Sequence, residues 1–252
     1  MVAEKVAGGL ENPTTFAFIG ADDILVLEKN KGTVLRILNG EVLPEPLLDV
    51  NVANQVEQGL LGIAVSENLL DNKTYVFLYF TKAEGETGEG GAERDEDEGN
   101  NGDVEQRSSG DGGEPVGNRL YKYELSEDGA RLTNPKLLLD LPYEPGPAHN
   151  GGVVTIGPDN NVYVVVGNLL ANAEERFDGY SLDQNIINGT PPDGRGGILR
   201  VTQDGKVVDG RGILGDERPL DMYYAYGIRN SFGIAFDPLS GNLWDTENGG
   251  NH

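Results

Sequence analysis

The chain of 252 residues is long enough to form one large all-β domain with its own core. Its formal charge of −23 disfavours binding to nucleic acid and to anionic membranes, because both are bound by basic surfaces. No cysteine is present, which excludes disulfides and thiolate-bound metals. The 37 glycines amount to about twice the average frequency and indicate many turns between short strands.

Predicted strands begin close to the N-terminus. The first ten residues contain no basic region followed by an apolar run, so no signal peptide is predicted in the given chain. No apolar stretch of about 18 residues occurs, so no membrane insertion is predicted. The first strands are predicted at Thr15–Ile19, Ile24–Glu28 and Thr33–Leu38, each bounded by Gly, Asp or Asn turns.

A pair of strands joined by a polar turn recurs along the chain. The later copies are predicted at Gly62–Val65 with Thr74–Phe80, at Val153–Ile156 with Val162–Val166, and at Gly233–Phe236 with Asn242–Trp244. A third strand often follows, as in the segments TVLRIL, NRLYKYEL and GGILRVT. Repeated antiparallel units of this kind are typical of β-propeller blades, with a β-sandwich as the alternative. The predicted fold class is therefore all-β.

Residues 84–117 interrupt this pattern with a strongly acidic segment. It carries many of the 42 acidic residues of the chain and no periodic apolar positions. We expect a disordered or weakly ordered loop insertion here. A calcium site within the loop is the alternative, but the segment lacks the spacing of oxygen ligands found in the calcium loops of EF-hands.

His149 is the first candidate for chemistry. The chain has two histidines, of which His252 is the last residue, whereas His149 follows a proline-rich turn in YEPGPAHNGG and directly precedes a strand. A histidine directly before a strand can accept a proton near neutral pH, because its ordinary pKa is about 6.5. A turn histidine that bonds to the backbone is the alternative.

Polar residues also interrupt two apolar segments. Arg229 and Asn230 lie within YAYGIRNSFGIAF, and Gln58 precedes the buried strand of VEQGLLGIAV. A guanidinium so near a core requires an anionic partner, which a ligand carboxylate, a developing oxyanion or a structural Asp could supply. Structural hydrogen bonding is the simpler role for Gln58.

The ordered set of these segments resembles a known family. The segments EQGLLGIAV, HNGGVVTIGPDNNVYVVVGN, GGILRVTQDG and YGIRNSFGIAFDPLSGNLWDTENGG are similar to those of the soluble quinoprotein sugar dehydrogenases, the glucose/sorbosone dehydrogenase family. The resemblance implies a single β-propeller domain over residues 1–252, in a family with about six blades, of which this chain would supply about three and a half to four. We therefore expect the domain to be C-terminally incomplete, because the family continues past His252.

The resemblance also implies a cofactor and an activity. The family uses pyrroloquinoline quinone (PQQ) and calcium to oxidise an aldose or related sugar, with an external electron acceptor. His149 would accept the proton of the sugar hydroxyl while hydride passes to the quinone. Arg229 would stabilise charge on the reduced cofactor, and Gln58 and Asn230 match positions that contact the quinone. The cofactor-binding residues implied by the resemblance are therefore Gln58, His149, Arg229 and Asn230. Main-chain carbonyls of Gly249 and Gly250 would bind calcium. An extracellular or periplasmic location is implied as well.

Two residues depart from the family pattern. Asn168 stands where the family more usually has an aspartate that holds the imidazole, and an amide stabilises an imidazolium less well than a carboxylate. Gly250 replaces a proline in the segment expected to bind calcium. The alternatives to an active dehydrogenase are therefore a non-catalytic extracellular propeller that binds a partner, a truncated inactive fragment, and a calcium-dependent lactonase-type propeller.

Overall fold

A computed structural model describes residues 3–68, 72–85, 112–169, 192–209 and 212–248. These ranges contain fifteen strands, β1 to β15 in chain order, and one short 3-10 helix at Leu220–Met222. No helix in them is long and apolar enough to cross a membrane. The prediction of an all-β chain is confirmed.

The strands form antiparallel sheets in which consecutive strands are neighbours, except that the fifth strand pairs with the third. The first sheet contains β1 Pro13–Gly20, β2 Asp23–Glu28, β3 Thr33–Leu38, β4 Glu41–Val42 and β5 Leu48–Asp49. The second contains β6 Leu60–Asn68, β7 Lys73–Ala83, β8 Pro115–Leu125 and β9 Leu132–Leu141. The third contains β10 Val154–Ile156, β11 Val162–Val166, β12 Gly197–Val201 and β13 Tyr223–Tyr226. The fourth contains β14 Ser231–Phe236 and β15 Leu243–Glu247.

The first strand of each sheet packs against the first strand of the next. Strand β1 contacts β6, β6 contacts β10, and β10 contacts β14. Meander sheets that share an inner row of strands in this way are the blades of a β-propeller. The propeller fold is thus confirmed, with three full blades and two strands of a fourth among the described residues.

Each inner blade buries both of its faces. Along β7, Val76, Leu78 and Phe80 belong to the core between the first and second sheets, whereas Phe77 and Tyr79 belong to the core between the second and third. Successive side chains of a strand point to opposite faces, so a blade with a neighbour on each side becomes an uninterrupted apolar run. This explains why the segment YVFLYF shows no polar alternation.

A glycine allows two inner strands to approach closely. A β-carbon built on Gly62 of β6 would lie 1.7 Å from the carbonyl oxygen of Gly152, just before β10. Any larger residue at this position would force the second and third sheets apart. Gly62 therefore fixes the position of the segment that precedes β10, in which His149 lies.

The structure corrects the predicted elements at two places. Strand β9, Leu132–Leu141, has no counterpart in the prediction, because Pro135 and three consecutive leucines hide its alternation. The predicted acidic loop ends too late, since its last three residues already belong to β8, which pairs with β7. Residues 86–111 of that loop lie outside the described residues.

Candidate functional site

His149 is buried in the turn between β9 and β10. Its side chain is only 1% exposed, and its backbone has a positive φ of 60°. The backbone N–H donates a hydrogen bond of 2.6 Å to Oε2 of Glu57, and the ring Nδ1 lies 2.7 Å from Oδ1 of Asn168. Both the backbone and the ring of His149 are therefore fixed by side chains from other segments.

The Asn168 contact determines which ring nitrogen can act as a base. An amide oxygen accepts a hydrogen bond but cannot donate one, so Nδ1 of His149 carries the proton in this arrangement. In that tautomer, Nε2 has the lone pair that a proton acceptor needs. Asn168 thus orients the imidazole, although it brings no negative charge to it.

Gly167 allows three segments to meet at this point. A β-carbon on Gly167 would lie 2.2 Å from the carbonyl oxygen of His149 and 2.7 Å from that of Arg229. The next residue, Asn168, donates its backbone N–H to the Arg229 carbonyl at 2.9 Å. The end of β11 is therefore in direct contact with both His149 and Arg229.

Arg229 and Asn230 are buried side by side before β14. Their backbone N–H groups both donate to Oε1 of Glu247, at 2.8 and 3.0 Å. Nη1 of Arg229 donates to the carbonyl of Asn248 at 2.7 Å, and no carboxylate of the described residues forms an ion pair with this guanidinium. A cation that is only 8% exposed and has no counterion in the described part of the chain suits an anionic ligand.

Gln58 is buried but stands apart from this group. It is 2% exposed, and its Oε1 has no hydrogen-bond partner within the described ranges. No hydrogen bond there joins its side chain to His149, Asn168, Arg229 or Asn230. A buried amide oxygen without a partner is costly, which makes Oε1 of Gln58 a candidate acceptor for a bound ligand.

Glu57 also contacts the site residues His149 and Asn230, although it was not predicted from the sequence. Its Oε2 accepts hydrogen bonds from the His149 backbone and, at 3.2 Å, from Nδ2 of Asn230. The only signal for it in the sequence was a carboxylate beside Gln58, at the start of an apolar strand. A contact between residues 173 positions apart leaves no local pattern.

A cavity of about 350 Å³ lies along the inner strands, and of the predicted site residues that the structure describes only Asn230 is part of its lining. Its lining combines apolar side chains with Glu57, Asn230 and Lys29. Burial lowers the pKa of Lys29, and the negative charge of Glu57 opposes that shift. Nζ of Lys29 donates to the Val56 carbonyl at 3.1 Å, which fixes the ammonium at the edge of the cavity.

A buried network of polar side chains connects the second sheet to the turn that contains His149. Oγ1 of Thr81 donates to Oδ1 of Asn118 at 2.7 Å, and Nδ2 of Asn118 donates to Oδ1 of Asn150 at 3.2 Å. Nδ2 of Asn150 then donates to the Pro147 carbonyl at 2.6 Å. All three of these side chains are fully buried, so the second blade holds the turn rigidly.

The predicted calcium ligands cannot be placed. Gly249 and Gly250 lie outside the described residues. Among the residues that are described, no cluster of three or more His, Asp or Glu side chains could hold a metal ion. The calcium prediction rests on main-chain carbonyls and stays a prediction.

Replacing Asn168 with aspartate is expected to stabilise the imidazolium form of His149. A carboxylate at 2.7 Å would favour the charged ring, so the titration of the His149 imidazole should move to higher pH. NMR chemical shifts of the ring, followed between about pH 5 and pH 9, measure this change.

Asn39→Asp is the matched control for this substitution. Asn39 is exposed in an Asn-Gly turn, where Asp-Gly is equally well accommodated. A His149 titration that is the same in Asn168→Asp as in the parent would contradict the expected coupling between Asn168 and His149.

The chain matches a known protein family over almost its whole length. The sequence profile of the family described as Glucose / Sorbosone dehydrogenase matches residues 10–252. An uncharacterized protein of Synechocystis is 26% identical over 98% of this chain and 54% of its own length.

Solved structures of sugar dehydrogenases are similar to the chain, including two aldose sugar dehydrogenases. The PQQ-bound aldose sugar dehydrogenase from Streptomyces coelicolor is 27% identical, with a TM-score of 0.65, over 98% of this chain and 59% of its own. The apo-form soluble aldose sugar dehydrogenase from Escherichia coli is 20% identical, with a TM-score of 0.68, over 98% and 60%. The second likeness supports the fold alone. The chain thus spans little more than half of the length of each of these relatives.

Proposed function

The chain belongs to the glucose/sorbosone dehydrogenase family, a family of oxidoreductases, and from this we propose that it acts as a PQQ-dependent sugar dehydrogenase. The substrate would be an aldose or a related sugar, and the electrons would pass to an external acceptor. The observation that carries the proposal is Arg229, a buried guanidinium with no carboxylate partner among the described residues. Its backbone carbonyl accepts the N–H of Asn168, whose side chain contacts the His149 ring. An extracellular or periplasmic location is part of the same proposal.

The side chains of the site suit PQQ. The cofactor carries carboxylates, which are negatively charged, and quinone oxygens, which are neutral hydrogen-bond acceptors. Arg229 offers a buried cation, and the amide groups of Asn230 and Gln58 offer further polar contacts. These three residues would hold the cofactor, and carbonyls of Gly249 and Gly250 would hold calcium beside it. When bound, the quinone supplies the two-electron acceptor for sugar oxidation.

His149 would act as the general base. Its Nε2 would take the proton of the sugar hydroxyl while the hydrogen on the same carbon leaves as hydride. Asn168 keeps Nδ1 protonated and the ring in one orientation throughout. The Glu57 contact to the backbone and the network under Asn150 limit movement of the turn, which is the positioning that proton transfer requires.

One observation favours a second candidate, a propeller that binds a partner without redox chemistry. Asn168 supplies an uncharged amide where a carboxylate would assist the base. A site that keeps its shape but has lost that charge is compatible with binding alone.

Dye reduction tests the proposal directly. The full chain is loaded with PQQ and calcium, and aldoses are assayed with an artificial electron acceptor. We expect sugar-dependent reduction that is absent without PQQ and is lost when calcium is removed by a chelator. Stoichiometric PQQ binding with no reduction for any aldose would favour the binding propeller, and no PQQ binding at all would overturn the proposal.

A further inference from the structure

Glu57 is attached to the His149 turn at two points. Its Oε2 accepts the His149 N–H at 2.6 Å, and its own backbone N–H donates to the Pro147 carbonyl at 3.1 Å. The same oxygen accepts the bond from Nδ2 of Asn230. One half-buried carboxylate therefore joins the segment before β6 to the segments before β10 and β14.

Two residues at this contact have unfavourable backbone conformations. His149 has a φ of 60°, and Val56, directly before Glu57, has a φ of 50°. The left-handed region is disfavoured for residues other than glycine, and most of all for β-branched ones. Such conformations persist only where surrounding contacts hold them, and they concentrate at functional sites.

A hydrogen bond across Val56 and Glu57 fixes the turn that carries the Glu57 carboxylate. The Gln58 N–H donates to the Gln55 carbonyl at 2.8 Å, which closes a tight turn around Val56. That turn directs the Glu57 carboxylate towards the His149 N–H. The contact between Glu57 and the His149 N–H thus joins the turn before β6 to the turn before β10, and each turn contains a residue with a positive φ.

We propose that Glu57 is a positioning residue, whose carboxylate holds the backbone of His149 and links this candidate base to Asn230 of the cofactor site. The catalytic consequence rests on the proposed function, but the backbone contact exists in the free protein. A hydrogen bond to a carboxylate is stronger than one to a neutral amide. Glu57→Gln should therefore weaken the contact, and Glu57→Ala should remove it.

Hydrogen exchange of the His149 amide tests the contact without any activity. Because the chain has only two histidines, selective ¹⁵N-histidine labelling gives two backbone amide signals, and a His252→Gln variant assigns them. We expect exchange of the His149 amide to be about tenfold faster or more in Glu57→Ala, and to accelerate less in Glu57→Gln. The Gln variant, which keeps the side-chain shape, also serves if the Ala variant does not fold.

Glu247→Gln is the control for this measurement. Its carboxylate accepts the N–H groups of Arg229 and Asn230 and makes no hydrogen bond to His149. The His149 amide should therefore exchange as in the parent. An unchanged rate in folded Glu57→Ala would overturn the proposal, and so would an equal acceleration in Glu247→Gln.

Kinetics of the loaded protein test the catalytic consequence. A misplaced base lowers turnover more than substrate binding, so Glu57→Gln should reduce kcat about 10- to 100-fold while KM for the sugar stays within about twofold. Glu45→Gln, an exposed carboxylate away from the site, should keep parent values. Parent-like kcat in Glu57→Gln would overturn the positioning role. A parent protein without activity, but with faster amide exchange in Glu57→Ala, would overturn the proposed function and support the contact.

Discussion

Replacing His149 with glutamine is expected to lower kcat of sugar-dependent dye reduction about 10²- to 10⁴-fold. A positioned general base contributes a factor of this size, and a glutamine amide cannot accept the proton of a sugar hydroxyl. The side chain is buried and fixed at both its ring and its backbone, so no solvent base can easily replace it. Steady-state dye reduction by protein loaded with PQQ and calcium measures the effect.

His252→Gln is the matched control, because it changes the other histidine of the chain in the same way. It should leave the rate unchanged. PQQ binding by His149→Gln should also be retained, which separates loss of the base from loss of the cofactor. A turnover number equal to that of the parent would remove His149 from the role of base.

Replacing Arg229 with methionine is expected to raise the Kd for PQQ about 30-fold or more. Removal of one partner from a buried charge pair costs about 2 kcal/mol or more in binding, which corresponds to that factor. Without the quinone, the guanidinium has no counterion among the described residues, so its removal should not lower the thermal midpoint of the free protein. Equilibrium dialysis and thermal unfolding measure the two effects.

Arg131→Met is the control for a change of charge alone, because Arg131 is exposed in the turn between β8 and β9. Its Kd for PQQ should equal that of the parent. Arg229→Lys should fall between the parent and the methionine variant, because a single ammonium lacks the planar, two-pronged donor set of a guanidinium. A parent-like Kd in Arg229→Met would show that the cation does not face the cofactor.

Many of the strands could be predicted because their sequence pattern is local. Strand β3, Thr33–Leu38, and strand β11, Val162–Val166, lie where the apolar runs and their Gly and Asn turns placed them. Outer strands were harder to find. Strand β9 is an edge strand of the second sheet and contains Pro135, so its pattern of exposed and buried residues is irregular. Pairing with β8, rather than its own sequence, makes it a strand.

The candidate site was predictable in its members but not in its connections. Arg229, Asn230 and Gln58 were singled out because polar groups stand within or beside apolar segments, and His149 because it lies between a proline-rich turn and a strand. The resemblance to the family supplied their expected roles. Glu57 was not singled out, since charged residues are common beside turns and its role depends on partners in two other blades. The roles of all these residues stay predictions until the variants are measured.

The sequence by itself determined the fold class, the repeat of short strands and the family to which the chain belongs, because these depend on residue type and spacing along the chain. Only the tertiary structure decided how the site is assembled. Packing of the inner strands brings Glu57, His149 and Asn230 within hydrogen-bond distance. It also holds His149 in a left-handed conformation that its own sequence disfavours. Long-range contacts supply the free energy for that arrangement, and no local segment encodes them.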